Sequence, residues 1–280
     1  ERTPIMHANE SGDGIITWED DRAFIRGLYG QRVNKNAELE GDNFLIRETN
    51  SASIKSSVQV ADDGSFAVAW NENENYNKQY YIQFFQKSGI LNGSRIKVDE
   101  AGGTPSYSSL LKYNQASKNY LYIWEKSKTL YGRIFNSSGN VIKPTFIIST
   151  FNSFVGSLQM TVNKKGNYVI SYISHKEEGF SAERNLYYAI VEQNGNVIVP
   201  GLQVNAEDKT VANSLQFLMA DDIGNIYFVW KSKLQNAGPE NNINNPVIIK
   251  KMNDQYNFVS THYLALKNAL SYSFYHKNKI

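Results

Sequence analysis

The chain has 280 residues, with 29 Lys and Arg against 27 Asp and Glu and no cysteine. A balance this even, without any block of like charges, gives no electrostatic footprint for a polyanion, so no nucleic-acid partner is expected. The absence of cysteine excludes a disulfide framework, a thiolate metal site and a cysteine nucleophile.

The chain opens at Glu1 without Met or a signal-like segment, which reads as a processed or internal start. PIMHAN, residues 4–9, reads as a first strand, and SGDGIITW, residues 11–18, as a polar turn running into a second strand that closes on Trp18. GLYGQRV (27–33) and FLIRE (44–48) supply a third and a fourth, each alternating apolar and polar residues. The same four-part phrase then returns. Its first strand recurs as IKSSVQVA (54–61), YSSLLKYN (107–114), GSLQMTVN (156–163) and NSLQFLMA (213–220). Its second strand closes in turn on Trp70, Trp124, Tyr172 and Trp230. Asn- and Gly-rich turns such as NSSGN and EQNGN punctuate the strands, as in all-β proteins. The best helical spacing is THYLALKNALSYSF, residues 261–274, which also reads as a strand. No apolar run reaches the roughly 18 residues that would cross a bilayer, so no direct membrane span is expected.

Four strands per unit of roughly 50 residues, written five times, is the signature of a β-propeller. A single four-stranded meander has two raw edges and a face it cannot bury; units packed radially bury both faces and leave only short edges. The expected fold is therefore an all-β propeller in one domain. Its five complete blades fall at about 1–50, 51–101, 102–151, 152–207 and 208–262. Residues 263–280 either supply a closing strand or begin a partial sixth blade. Trp18, Trp70, Trp124, Tyr172 and Trp230 are expected to fill the gaps between blades as structural core.

Chemistry is sparse. The four histidines, His7, His175, His262 and His276, lack metal-ligand spacing, and no phosphate-binding loop or nucleophile motif occurs. No metal, cofactor or catalytic residue is assigned. The pairs Asp62–Asp63 and Asp221–Asp222 sit in turns, where a carboxylate bonds the backbone two residues on. Glu19, Asp20, Asp21 and Arg22 follow a second strand and lie in the loop to the third; Glu72, Glu125 and Glu177 hold similar places in later units. Two carboxyls about 5–10 Å apart are what glycoside hydrolysis needs, and the same residues serve equally as a solvated loop with an ion pair. The loops 174–185 and 231–246 exceed what a hairpin requires, which makes His175, Phe180 and Lys231 further candidates for a contact surface.

The phrase GIITWEDDR…IRGLYGQRVNKNAELEGDNFLI, residues 14–46, resembles the propeller-type repeats of secreted and cell-surface proteins of Bacteroidota. The match runs through Trp18, Asp20, Arg22, Tyr29, Gln31 and Arg32; later units keep only the strands and aromatics. The resemblance implies export or the bacterial envelope and transfers no catalytic residue. The resulting expectation is a non-enzymatic interaction or scaffold module, secreted or at the cell surface, with a protein partner in a larger assembly. The alternative is a carbohydrate-binding, lectin-like propeller, or a glycoside hydrolase using the loop carboxylates, with a glycan as ligand. The residues after each aromatic (EDDR, NENE, EKSK, ISHK, KSKL) diverge, which points to one composite surface rather than five equal pockets.

Overall fold

Period-two alternation and Asn-Gly turns build twenty strands among the described residues, and consecutive strands pair antiparallel in sheets of four. The computed structural model describes residues 4–21, 26–49, 54–74, 77–98, 105–151, 155–175, 184–206, 210–234 and 246–264. The first sheet holds β1 (Ile5–Ala8), β2 (Gly14–Asp20), β3 (Gly27–Val33) and β4 (Leu39–Glu48). The second holds β5 (Lys55–Val60), β6 (Phe66–Glu74), β7 (Asn77–Phe85) and β8 (Leu91–Lys97). The third is β9 (Pro105–Asn114), β10 (Asn119–Lys126), β11 (Thr129–Asn136) and β12 (Val141–Thr150). The fourth is β13 (Val155–Val162), β14 (Tyr168–His175), β15 (Arg184–Val191) and β16 (Val197–Gln203). The fifth is β17 (Thr210–Ala220), β18 (Ile226–Leu234), β19 (Val247–Met252) and β20 (Phe258–Leu264). The first strands β1, β5, β9, β13 and β17 pack against one another in succession and form the hub. This is a five-bladed β-propeller.

The turns explain the asparagine content. Asn9, Asn163 and Asp221 open the tight turns between first and second strands, and each Oδ1 accepts the backbone N–H four residues on, at 3.0, 2.9 and 2.7 Å. Asn136 and Asn253 do the same between third and fourth strands, both at 2.9 Å. At Gly64 the backbone has φ +81°, and a Cβ there would meet Lys87 Cδ at 2.6 Å, so the turn requires glycine.

The core lies between blades. Four apolar clusters join blades one to two, two to three, three to four and four to five. Trp70, Trp124, Tyr172 and Trp230 each belong to the cluster facing the preceding blade. The same aromatic sits across a rung from an aromatic on the third strand: Trp18–Tyr29, Trp70–Tyr81, Trp124–Tyr131 and Tyr172–Tyr187 stack with centroids 6.3, 5.8, 6.0 and 5.7 Å apart. Trp18 departs from the pattern. It is only half-buried, and Met6, on the same sheet face, is 56% exposed. The reason is positional: the first blade has no predecessor, and among the described residues no apolar cluster joins the fifth blade to the first.

The helical alternative for 261–274 is not realised where it is described, because Thr261–Leu264 belong to β20. Residues 265–280, the expected closing strand or sixth blade, lie outside the described residues.

Candidate functional site

Several residues assigned to loops are strand residues instead. Pairing continues past each aromatic, so Glu19 and Asp20 lie in β2, Glu72 in β6, Glu125 in β10, His175 in β14 and Lys231 in β18. Alternation then decides which side each side chain takes. Glu19 Oε1 accepts the Ile54 N–H at 3.1 Å and fixes the entry to the second blade. Asp20 Oδ2 accepts the Trp18 indole N–H at 3.4 Å. Asp21 forms an exposed two-pronged pair with Arg26 at 2.6 and 2.9 Å. Glu72 is 2% exposed and sits between Arg47 Nε at 3.1 Å and Arg95 Nη1 at 3.0 Å, a bridge between blades one and two. Arg95 also lies 4.3 Å from the centroid of the Tyr81 ring. Glu125 is buried, and its Oε1 accepts the Lys128 N–H at 3.2 Å in the β10–β11 turn. Lys231 is half-buried. Arg22, Glu177 and Phe180 lie outside the described residues. The described loop-side carboxylates are thus brought to one end of the blades but are engaged in holding the scaffold.

A cavity opens at the other end of the hub, beside the turns between first and second strands. It has a volume of about 580 Å³ and takes lining residues from all five blades. His7, Gln59, Lys112 and Thr161 occupy corresponding places on β1, β5, β9 and β13, and Asp221 begins the turn after β17. Two of these side chains also clasp the next blade: His7 Nδ1 accepts the Val60 N–H at 3.0 Å, and Gln59 Oε1 the Tyr113 N–H at 3.3 Å. Tyr113 donates its hydroxyl to Asp62 Oδ2 at 3.3 Å, and burial with the Asp62 charge pushes it up to about 12, so it stays protonated. Burial lowers the Lys112 ammonium from its ordinary range. Burial, and then the Lys112 charge, push His7 down to about 4, leaving the imidazole neutral at physiological pH. The Asp221 carboxyl, which burial alone would raise, is held below its usual value by Asn225 and Tyr227. The carboxylate pairs keep the turn role expected of them, since Asp63 Oδ1 accepts the Ser65 N–H at 2.9 Å.

No protein-family model and no curated protein matches the chain. Among solved structures it is similar to a protein of unknown function from Bacteroides caccae, with a TM-score of 0.51 and 12% identity over 92% of this chain and 80% of that one. It is also similar to a B. megaterium levansucrase variant, with a TM-score of 0.51 and 8% identity over 94% of this chain and 84% of that one. At these identities the likeness is one of fold: an all-β propeller shared with a Bacteroides protein and with a carbohydrate-active enzyme.

No motif marks the hub in the sequence. The signal lay in the residue two before each first turn, where His7, Gln59, Lys112 and Thr161 share a position but not a chemistry. His7 makes a measurable contribution. In the unfolded chain it titrates near its ordinary value of 6.5, and in the folded protein near 4, so the unfolded state takes up the proton first on acidification. Stability is therefore expected to fall as pH drops from about 6.5 towards 4. His7→Asn, whose Oδ1 can take the Val60 N–H without titrating, should show a smaller fall in urea midpoint across that window. Identical slopes in the two proteins would contradict the assignment.

Proposed function

We propose that this propeller is a non-catalytic carbohydrate-binding module that takes its ligand in the hub cavity at the turn end. The observation that carries the reading is the cavity wall, one composite surface in which each blade contributes a different polar group. Its volume suits a small ligand. A lining of amide, imidazole, hydroxyl, ammonium and carboxylate groups beside the Tyr113 ring suits a ligand made of hydroxyls better than an apolar one. Hydrolysis by the loop carboxylates is less well supported, because Glu19, Glu72 and Glu125 already hold backbone N–H groups or arginines. The fold shared with a levansucrase is in keeping with a carbohydrate ligand. The resemblance of residues 14–46 to Bacteroidota surface repeats, and a Bacteroides fold neighbour, favour work at the cell surface.

Plugging the cavity tests this. Ala8 and Ala116 line it, are exposed to it and make no side-chain bond, so tryptophan at either place fills space without breaking the scaffold. Ala8→Trp and Ala116→Trp should each abolish binding to whichever glycans the parent retains on an array, with thermal stability unchanged. Asp21→Ala with Arg26→Ala, on the opposite face, should leave binding intact. The reverse pattern, loop-face changes abolishing binding and plugged variants retaining it, would overturn the proposal.

A further inference from the structure

Lys112 is the odd group in the hub. It projects from β9 into the cavity, and among the described residues its ammonium has no ion pair and no hydrogen bond. A cation in such surroundings is disfavoured unless an anion answers it. Its neighbour His7 cannot do so, being neutral and already bonded to the Val60 N–H. The four carboxylates around the cavity lie in the turns, and three are engaged elsewhere: Asp62 by the Tyr113 hydroxyl, Asp221 by Asn225 and Tyr227, Glu10 by Gln115 at 3.2 Å, while the fourth, Asp222, is exposed and forms no ion pair with Lys112. The site is therefore positive on the strand at Lys112 and mainly negative at the turns, where four carboxylates stand beside one exposed cation, Lys164, with hydrogen-bonding groups between.

That zoning selects one ligand class. A neutral sugar leaves the ammonium unanswered. A polyanion such as a sulfated glycan meets the carboxylates of the turns. A sugar with a single carboxylate satisfies both zones, its acid group on the ammonium and its hydroxyls towards the turns. We infer that the hub cavity is selective for acidic sugars of the hexuronate type, whose carboxylate seats against Lys112. This inference rests on the carbohydrate reading above and narrows it. The bond is a charge-assisted one, stronger than those to hydroxyls and reinforced by the shielded setting.

Calorimetric titration of the intact protein separates the two ideas, with D-glucuronate and D-galacturonate as acid probes, glucose and galactose as their neutral parents, and acetate as a carboxylate without a sugar. The unmodified protein is expected to bind at least one uronate about tenfold or more tightly than its neutral parent, and to bind acetate far more weakly than either uronate. Lys112→Met should remove that preference while leaving affinity for the neutral parent nearly unchanged, and Lys112→Arg should largely retain it. The ligand-free Lys112→Met protein should also melt higher than the unmodified one, because an unanswered cation has been replaced by an apolar chain of similar length. Equal affinity for uronate and neutral parent, or a preference that survives Lys112→Met, would overturn the acidic-sugar inference and leave the carbohydrate reading standing. Binding of acetate as tightly as uronate would assign the site to carboxylates in general and also overturn it. No binding of any sugar would overturn both.

Discussion

Trp124→Ala is expected to lower stability by about 3–5 kcal/mol, as large-to-small core changes do. Trp124 is 1% exposed and lies in the cluster that joins the second blade to the third, against Tyr80, Tyr122 and Tyr131. Its truncation would leave a void that two rigid sheets cannot close by small shifts. Among the described residues its indole N–H has no hydrogen-bond partner, as is also true of Trp70 and Trp230, so the loss is one of packing. Trp124→Phe, which keeps an aromatic ring and removes that unanswered donor, should consequently lose much less than Trp124→Ala. The equivalent change at half-buried Trp18 should cost only about 1 kcal/mol. Chemical denaturation of the four proteins checks the order, and equal losses at Trp18 and Trp124 would undo the account of which blade faces are packed.

The second large effect is electrostatic. Glu72, 2% exposed, is answered by Arg47 from the first blade and Arg95 from its own, both about one-third exposed. Converting both arginines to methionine leaves a buried carboxylate without a counter-charge and is expected to cost about 3–5 kcal/mol. Arg47 and Arg95 share one partner, so the single changes should not sum to the double one. Adding Glu72→Met to the arginine pair should restore most of the loss, because a well-packed apolar trio does not need the charge. If the triple variant is as unstable as the double, the carboxylate is not what the arginines are there to satisfy.

Much of the scaffold was readable in advance because it is written in local terms. A strand alternates, a turn needs asparagine or glycine, and the aromatic that closes the second strand meets its partner across one rung, so Trp18, Trp70, Trp124, Tyr172 and Trp230 could be aligned without a structure. The site was less legible for two reasons. Glu72 looks like a surface carboxylate because its arginines stand 25 and 23 residues away, and only the packing of neighbouring sheets brings them together. The hub position held by His7, Gln59, Lys112 and Thr161 carries no motif, since residues that far apart are united by the packing of successive inner strands and each is chemically different. Divergent loop lengths drew attention to the other end of the molecule. At that end it is Glu19 and Glu72 that brace neighbouring blades.

The clasps along the hub give the blade order a direction. His7, Ser57 and Gln59 each accept a backbone N–H from the following blade, at Val60, Leu111 and Tyr113. The acceptor is a side chain, but the donor is main chain, which every residue except proline supplies. At these two junctions the hub contact is thus made without regard to the side chains of the following blade's inner strand, whereas the apolar clusters between the blades depend on them. A contact of that kind tolerates drift in the residue it reaches, since every residue but proline keeps the N–H. One inner-strand skeleton accordingly presents four different groups, His7, Gln59, Lys112 and Thr161, around a common axis.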